Sequence, residues 1–206
     1  MQRLNRGHGN DEQPILRLFR LAFLGGLLGL TPLPPLSIPP AQAEAVRLVP
    51  GEWSGRQRVQ KTRRLSRYLH QTYRIQPAKA HTYVHEAVHQ GVRHTLKPEL
   101  ILAVIGAESS ARERAVSRRG ARGLMQVIPR HHGKKIRQVG GSPALFQPRH
   151  NIAVGTAILA EQLQRHRGNV RQALLSYSGN RNNPRSRFPD KVLNAYRKLR
   201  QVARSG

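Results

Sequence analysis

The sequence predicts an all-α fold, and three observations carry that expectation. Apolar residues recur at helical spacing: Ile101, Val104 and Ile105 lead to Glu108 at i, i+3, i+4 and i+7, and Val170, Ala173, Leu174 and Tyr177 repeat the pattern. Proline stands where a helix starts, as Pro98 does, at the position whose N–H needs no partner. Asn151 and Asn169, both good capping residues, precede later periodic runs, and Gly168 closes one of them. At 206 residues the chain is long enough for one domain with a sizeable core.

The elements follow in order. Residues 1–43 read as an export signal. Arg3, Arg6, Arg17 and Arg20 give a basic start, and residues 21–30 (LAFLGGLLGL) form an apolar run too short to span a bilayer. Pro32, Pro34, Pro35, Pro39 and Pro40 stop that run, and Ala41-Gln42-Ala43 has the small-x-small form of a cleavage site, so the mature chain is expected to start at Glu44. Residues 44–60, polar around Trp53, read as a linker. Residues 61–76 form a basic N-terminal helix with Leu65, Tyr68, Leu69 and Tyr73 on one face, broken at Gln76-Pro77. Residues 78–94 are a second amphipathic helix, and the main domain is assigned to 77–206. A loop-like basic stretch covers 131–148, with Gly140-Gly141. Asn151 then caps a helix bearing Ile152, Gly155, Leu159 and Leu163. Asn169 opens the next, which ends at Tyr177. Beyond the basic loop 181–187, Phe188-Pro189 starts a last helix with Val192, Leu193, Tyr196 and Leu199.

The stretch 97–129 (KPELILAVIGAESSARERAVSRRGARGLMQVIP) organises the rest. Glu108 ends an apolar stripe near a helix C-terminus. Burial disfavours its charged form, and the negative end of the helix dipole opposes a carboxylate further. A Glu so placed is kept protonated near neutral pH and can serve as a general acid. Downstream, Gly120 and Gly123 mark a tight loop, and Leu124-Met125-Gln126 follows with apolar anchors and one amide.

These residues resemble the soluble-type lytic transglycosylases, a family with the goose-type lysozyme-like fold. The matches are Glu108-Ser109, then Ser117, Gly120, Ala121, Gly123, Leu124, Met125, Gln126, Val127 and Pro129 at the family's offsets, and Asn151, Ile152 and Gly155 further on. The likeness runs from about Pro77 to Arg200. It departs at Tyr177-Ser178-Gly179-Asn180, where the Tyr matches but the family's Asn and Ala-Gly do not, and at Phe188, where relatives carry a Tyr. What the resemblance implies is peptidoglycan cleavage between N-acetylmuramic acid and N-acetylglucosamine without water, giving 1,6-anhydro ends. Glu108 would be the catalytic acid and then base. Ser109 and Gln126 would bind the muramyl sugar, Met125 would form apolar cleft wall, and the Tyr177 hydroxyl would orient Glu108. Ser117, Gly123 and Asn151 would be structural residues near the cleft. No metal and no cofactor is implied. The partner is the glycan strand, the destination the periplasm, and a monomer is expected.

Two other readings stay beside this one. His85-Glu86-Ala87-Val88-His89 is an HExxH, the zinc-peptidase pattern, with Glu108 nineteen residues beyond His89 where a third ligand could stand. The His81, His85 and His89 row also reads as the solvated edge of a helix. The third reading is a basic module that binds wall or nucleic acid without catalysis. It draws on 36 Lys and Arg against 10 Asp and Glu, a formal charge of +26 that removal of residues 1–43 lowers only to +24. Such a surface is attracted to polyanions. For an exported protein, acidic wall peptides and anionic outer-membrane headgroups suit it better than any specific nucleic acid. There is no Cys, which excludes disulfides and thiolate metal sites and leaves no residue for a lipidated-Cys anchor. Ordinary glycosidases set two carboxylates across the scissile bond. Glu113 is the nearest second carboxylate, but five residues turn it about 140° around a helix, away from Glu108.

Overall fold

The computed structural model describes residues 55–183 and 185–205; residues 1–43, expected to be an export signal, the expected cleavage point after Ala43 and Trp53 lie outside them. Those residues form α1 (Gly55–Tyr73), α2 (Pro77–His94), α3 (Pro98–Ser109), α4 (Gly133–Arg137), α5 (Pro148–Arg165), α6 (Val170–Tyr177) and α7 (Phe188–Arg204), with 3₁₀ turns at Pro129–His131 and Ser142–Phe146. No strand occurs among the described residues, so the expected all-α class holds. No helix among them is long and apolar enough to cross a membrane.

Local chemistry sets most helix starts. Pro77, Pro98 and Pro148 each stand at a first helical position. A proline there loses no hydrogen bond and holds the residue before it extended. Lys97 and Gln147 accordingly have ψ of 127°. Asn169 caps α6 as expected, its side chain accepting from the Gln172 N–H at 3.1 Å.

Three boundaries differ from the sequence reading. α1 begins at Gly55, so 55–60, assigned to a linker, are helical and exposed. The stretch 131–148 contains α4 and the second 3₁₀ turn and begins at the last residue of the first, with Ile136 and Leu145 buried as anchors. Asn151 does not cap α5. Pro148 starts that helix three residues earlier, and Asn151 points its side chain elsewhere.

α3 is the centre of the fold. The stripe Ile101, Val104, Ile105 predicts one buried face, yet every residue from Pro98 to Ser109 is buried except Glu108. A helix apolar all round must be enclosed on all sides. α7 and α2 pack directly on it, α1 joins α2 and α7, and α5 backs α2 and α6. Fully burying residues such as Leu100, Ile101 and Ile105 stabilises by ~1.5–3 kcal/mol each. α1 meets α3 where Gly106 has no side chain, because a Cβ there would collide with the Tyr73 hydroxyl. A buried ion pair between Lys61 Nζ and Glu99 Oε1, 2.6 Å apart, ties the same two helices. A smaller cluster of Val127, Ile136, Leu145, Val154 and Ile158 seats the loop that follows α3 against α5.

Candidate active site

The site begins where α3 ends. Ser110 and Ala111 both adopt left-handed conformations, with φ of 50° and 61°. Such a conformation costs an L residue ~1–2 kcal/mol, and here two in succession turn the chain sharply away from the helix axis. The Ser110 N–H still closes the helix on the Gly106 carbonyl. Glu108 is left as the one side chain of α3 that reaches a cleft of about 700 Å³.

The loop after the turn lines the same cleft, and its backbone is tightly paired. Arg122 and Val127 exchange two hydrogen bonds at 2.9 and 3.1 Å, Ser117 N–H bonds Ala121 carbonyl at 3.0 Å, and Gly123 N–H bonds Ala115 carbonyl at 2.8 Å. Asn151 holds this loop to α5. Its Oδ1 accepts from Met125 N–H at 2.7 Å, and its Nδ2 donates to the Arg122 and Leu145 carbonyls at 2.9 and 2.8 Å. The bonds to Met125 and Leu145 are buried, where an unmade hydrogen bond is costly. Gly123 has φ +73°, and a Cβ there would strike the Asn151 amide and the Leu145 carbonyl, so only glycine allows the approach. Ser117 Oγ accepts from the Ala121 N–H at 3.1 Å and tightens the turn. Ser117, Gly123 and Asn151, expected as structural residues near the cleft, make these contacts.

The expected substrate contacts divide. Gln126 and Tyr177 line the cleft with Glu108. Gln126 has φ 48°, and its Nε2 donates to the Ala115 and Gly123 carbonyls at 3.1 and 3.0 Å, which holds the loop's tip in place. The Tyr177 hydroxyl does not bond Glu108; it donates to the Met125 carbonyl at 2.8 Å. Tyr177 still feels the Glu108 charge: burial first, then that carboxylate, push its phenol well above the usual value. Met125 is corrected from cleft wall to core. Its side chain has no exposed surface and lies against α5, where Gly155 leaves room and the Thr156 hydroxyl meets the sulfur. Val127 and Ile128 provide the apolar wall instead. Ser109 is also corrected: it is buried, with Oγ donating to the Ile105 carbonyl at 3.1 Å, as a helical Ser does when turned inward.

Burial raises the Glu108 carboxyl from 4.5 to about 7, against the opposing charge of Lys191. Lys191, unforeseen from sequence, sits on the first turns of α7 and donates to the Ala107 carbonyl at 2.6 Å, beside Glu108. It satisfies a carbonyl that the end of α3 would leave open. No other charged group among the described residues pairs with Glu108. A carboxyl that titrates near 7 in a cleft can both give and take a proton at neutral pH.

The other carboxylates are engaged elsewhere. Glu113 bonds Lys79 Nζ and the Tyr83 hydroxyl, each at 2.7 Å. In the HExxH, Glu86 is buried and accepts from Gln90 Nε2 at 2.8 Å, while the exposed His81 and His85 rings stack on the solvent side. No group of three or more potential metal ligands is gathered among the described residues, so Glu108 does not join His85 and His89.

The family model for the transglycosylase SLT domain matches residues 87–192. Membrane-bound lytic murein transglycosylases C from Yersinia pestis and from Yersinia pseudotuberculosis are each 35% identical over 114 residues, covering 49% of this chain and 32% of theirs. The similarity thus spans about a third of those relatives' length. Among solved structures, an inactive mutant of the lytic transglycosylase Slt from Pseudomonas aeruginosa aligns with 57% of this chain and 21% of its own, at 23% identity and a TM-score of 0.44.

Proposed function

We propose a reaction for this chain, which belongs to the transglycosylase SLT domain family: it cleaves the β-1,4 bond between N-acetylmuramic acid and N-acetylglucosamine in peptidoglycan, without water, and leaves 1,6-anhydromuropeptides. The observation that carries this reading is Glu108, a carboxyl raised by burial to about 7 in a cleft that offers no second carboxylate among the described residues. A two-carboxylate hydrolase would need a partner ~5–10 Å away. Glu108 protonates the glycosidic oxygen as the bond from the muramyl C1 breaks, and the substrate's 2-acetamido group stabilises C1. The Glu108 carboxylate then takes the proton of the muramyl 6-hydroxyl, and O6 closes on C1. One residue serves twice, which favours a pKa near the working pH.

The loop pinned by Asn151 and Tyr177 carries Gln126, which lines the cleft together with Glu108, and Gln126 is the residue we assign to the muramyl sugar. The chain is exported by residues 1–43, cut after Ala43, and works as a monomer on periplasmic wall, with anionic outer-membrane headgroups as a secondary attraction for its positive surface. Mass spectrometry of products from purified peptidoglycan tests the reaction. Anhydro-muropeptides are expected. Reducing ends would make the protein a hydrolase, cut peptides a peptidase, and no product a binding module. An intact mass that retains residues 1–43 would overturn the export assignment.

A further inference from the structure

The cleft around Glu108 is cationic in a way its proposed sugar substrate does not explain. Arg119, Arg165 and Arg181 line it, from the loop after α3, the end of α5 and the loop after α6. Arg130 lines it too, held by its donation to the Arg119 carbonyl at 3.3 Å, and His131 and His132 stand beside it. Against these the lining has one acid, Glu108.

Elsewhere the described residues neutralise their carboxylates. Glu99 pairs with Lys61, Glu113 with Lys79, Glu161 with Lys135 and Asp190 with Arg171, while Glu86 bonds Gln90 and lies 3.6 Å from His89. No carboxylate among the described residues remains for the cleft. Arg119, Arg165 and Arg181 make no side-chain hydrogen bond or ion pair among those residues. Three arginines from three segments therefore line one opening with no counterion among the described residues.

A glycan of N-acetylated sugars is neutral along its backbone. Its negative charge sits on the peptides that branch from every second sugar and end in carboxylates. A guanidinium presents paired donors that fit a carboxylate. Nucleic acid fits less well: single-stranded binders add aromatic platforms for the bases, and the one Tyr or other large aromatic in this lining, Tyr177, has its hydroxyl tied to the loop backbone. We propose that the cleft selects glycan strands whose peptide branches carry free carboxylates, and that Arg119, Arg165 and Arg181 recognise them. The inference rests on the peptidoglycan reading and narrows it to an acidic substrate class.

The full chain carrying Glu108→Gln, which binds without turnover, is titrated with three probes: glycan strands with free peptide carboxylates, the same strands amidated, and strands stripped of peptide. Affinity is expected to fall roughly tenfold on amidation, the equivalent of one charge-assisted hydrogen bond, and at least as far on stripping. Adding Arg165→Gln and Arg181→Gln, both exposed, removes most of that discrimination while helix content and Tm stay near those of the parent. Equal binding of free and amidated strands overturns the proposal, as does undiminished discrimination in the triple variant. Displacement of the free-carboxylate strands by duplex DNA at a comparable concentration overturns it in favour of a general polyanion cleft. Product analysis of the parent enzyme runs in parallel. Anhydro-muropeptides without charge discrimination sink this inference alone, whereas neither products nor binding sinks the peptidoglycan reading itself.

Discussion

Glu108 and Glu113 lie five residues apart and meet opposite fates. Glu108, in the last turn of α3, has its carboxyl raised to about 7 by burial, and Lys191 counters only part of this. Burial would raise Glu113 as well, but hydrogen bonds from Lys79 and Tyr83 and the charges of Lys79 and Arg114 outweigh it, and the group is held below the usual carboxylate range. Between the two, the left-handed residues Ser110 and Ala111 turn the chain, so Glu108 opens to the cleft and Glu113 to α2. What fixes a carboxyl's role is the set of tertiary neighbours delivered to it. Lys79 and Tyr83 come from 34 and 30 residues upstream, and Lys191 from over 80 downstream.

The largest test of this contrast is catalytic. Glu108→Gln keeps the shape and removes the transferable proton. General acid–base catalysis contributes ~10²–10⁴-fold, and this residue acts in both halves of the proposed reaction, so the loss of anhydro-muropeptide release should reach the top of that range or pass it. Glu113→Gln should keep most activity. Comparable losses in both variants would mean that the two carboxyls do not differ in role.

The same pair should also separate in stability. Folded, Glu108 keeps its proton to about pH 7; unfolded, it loses it near its ordinary value of 4.5. The stabilisation from its raised pKa is therefore full below about pH 4.5 and lost as pH rises to about 7. A glutamine never ionises, so Glu108→Gln should be more stable than the parent at pH 8, by up to ~3 kcal/mol for a shift of this size, and equal to it near pH 4. Glu113 runs the other way. Its lowered pKa stabilises the fold above the unfolded value and ceases to do so as pH falls through the folded one, so Glu113→Gln should be less stable at pH 8. Denaturant titrations of the three proteins at both pH values read the signs directly.

Much of the frame was legible because its causes are local. Pro77 and Pro98 announce helices by the restrictions of one ring, and Asn169 caps by reaching its own first turn. Glu108 and the Gly123–Gln126 loop stood out through many identities at fixed offsets. What could not be read was set at a distance. Asn151 satisfies the local rule for a cap, yet it serves three backbone groups of two other segments. Met125 sits in a loop near a catalytic carboxyl, but the direction of its side chain is decided by the space that Gly155 leaves on α5. The cleft arginines carry no sequence signal at all, because Arg is abundant everywhere in a chain of this charge.

Lys191 gives a finer test of how far Glu108 is tuned. Its charge lowers the Glu108 pKa, so Lys191→Met should raise it. As an acid, Glu108 must be protonated at the start of the reaction, and the activity that falls with rising pH should then persist to higher pH. Lys191→Arg keeps the charge and should leave that limb near its original place. A limb that moves equally in both variants would trace the effect to the hydrogen bond on Ala107 instead.

The smallest expected effect lies on the Glu113 side. Lys79 is half-exposed where it meets Glu113 at 2.7 Å, and such surface pairs contribute ~0.2–1 kcal/mol. Lys79→Met removes the ammonium but leaves the Tyr83 hydroxyl bond, so Glu113 should titrate higher while staying well below Glu108. Stability at pH 8 should drop by no more than the value of one surface pair, and added salt, which screens exposed charges, should shrink the difference further. Release of anhydro-muropeptides should be unchanged across the pH range, because Ser110 and Ala111 direct Glu113 away from the cleft. An altered pH–rate profile in Lys79→Met would mean that the two carboxyls are electrically coupled through the turn, and the independence assigned to them would fail.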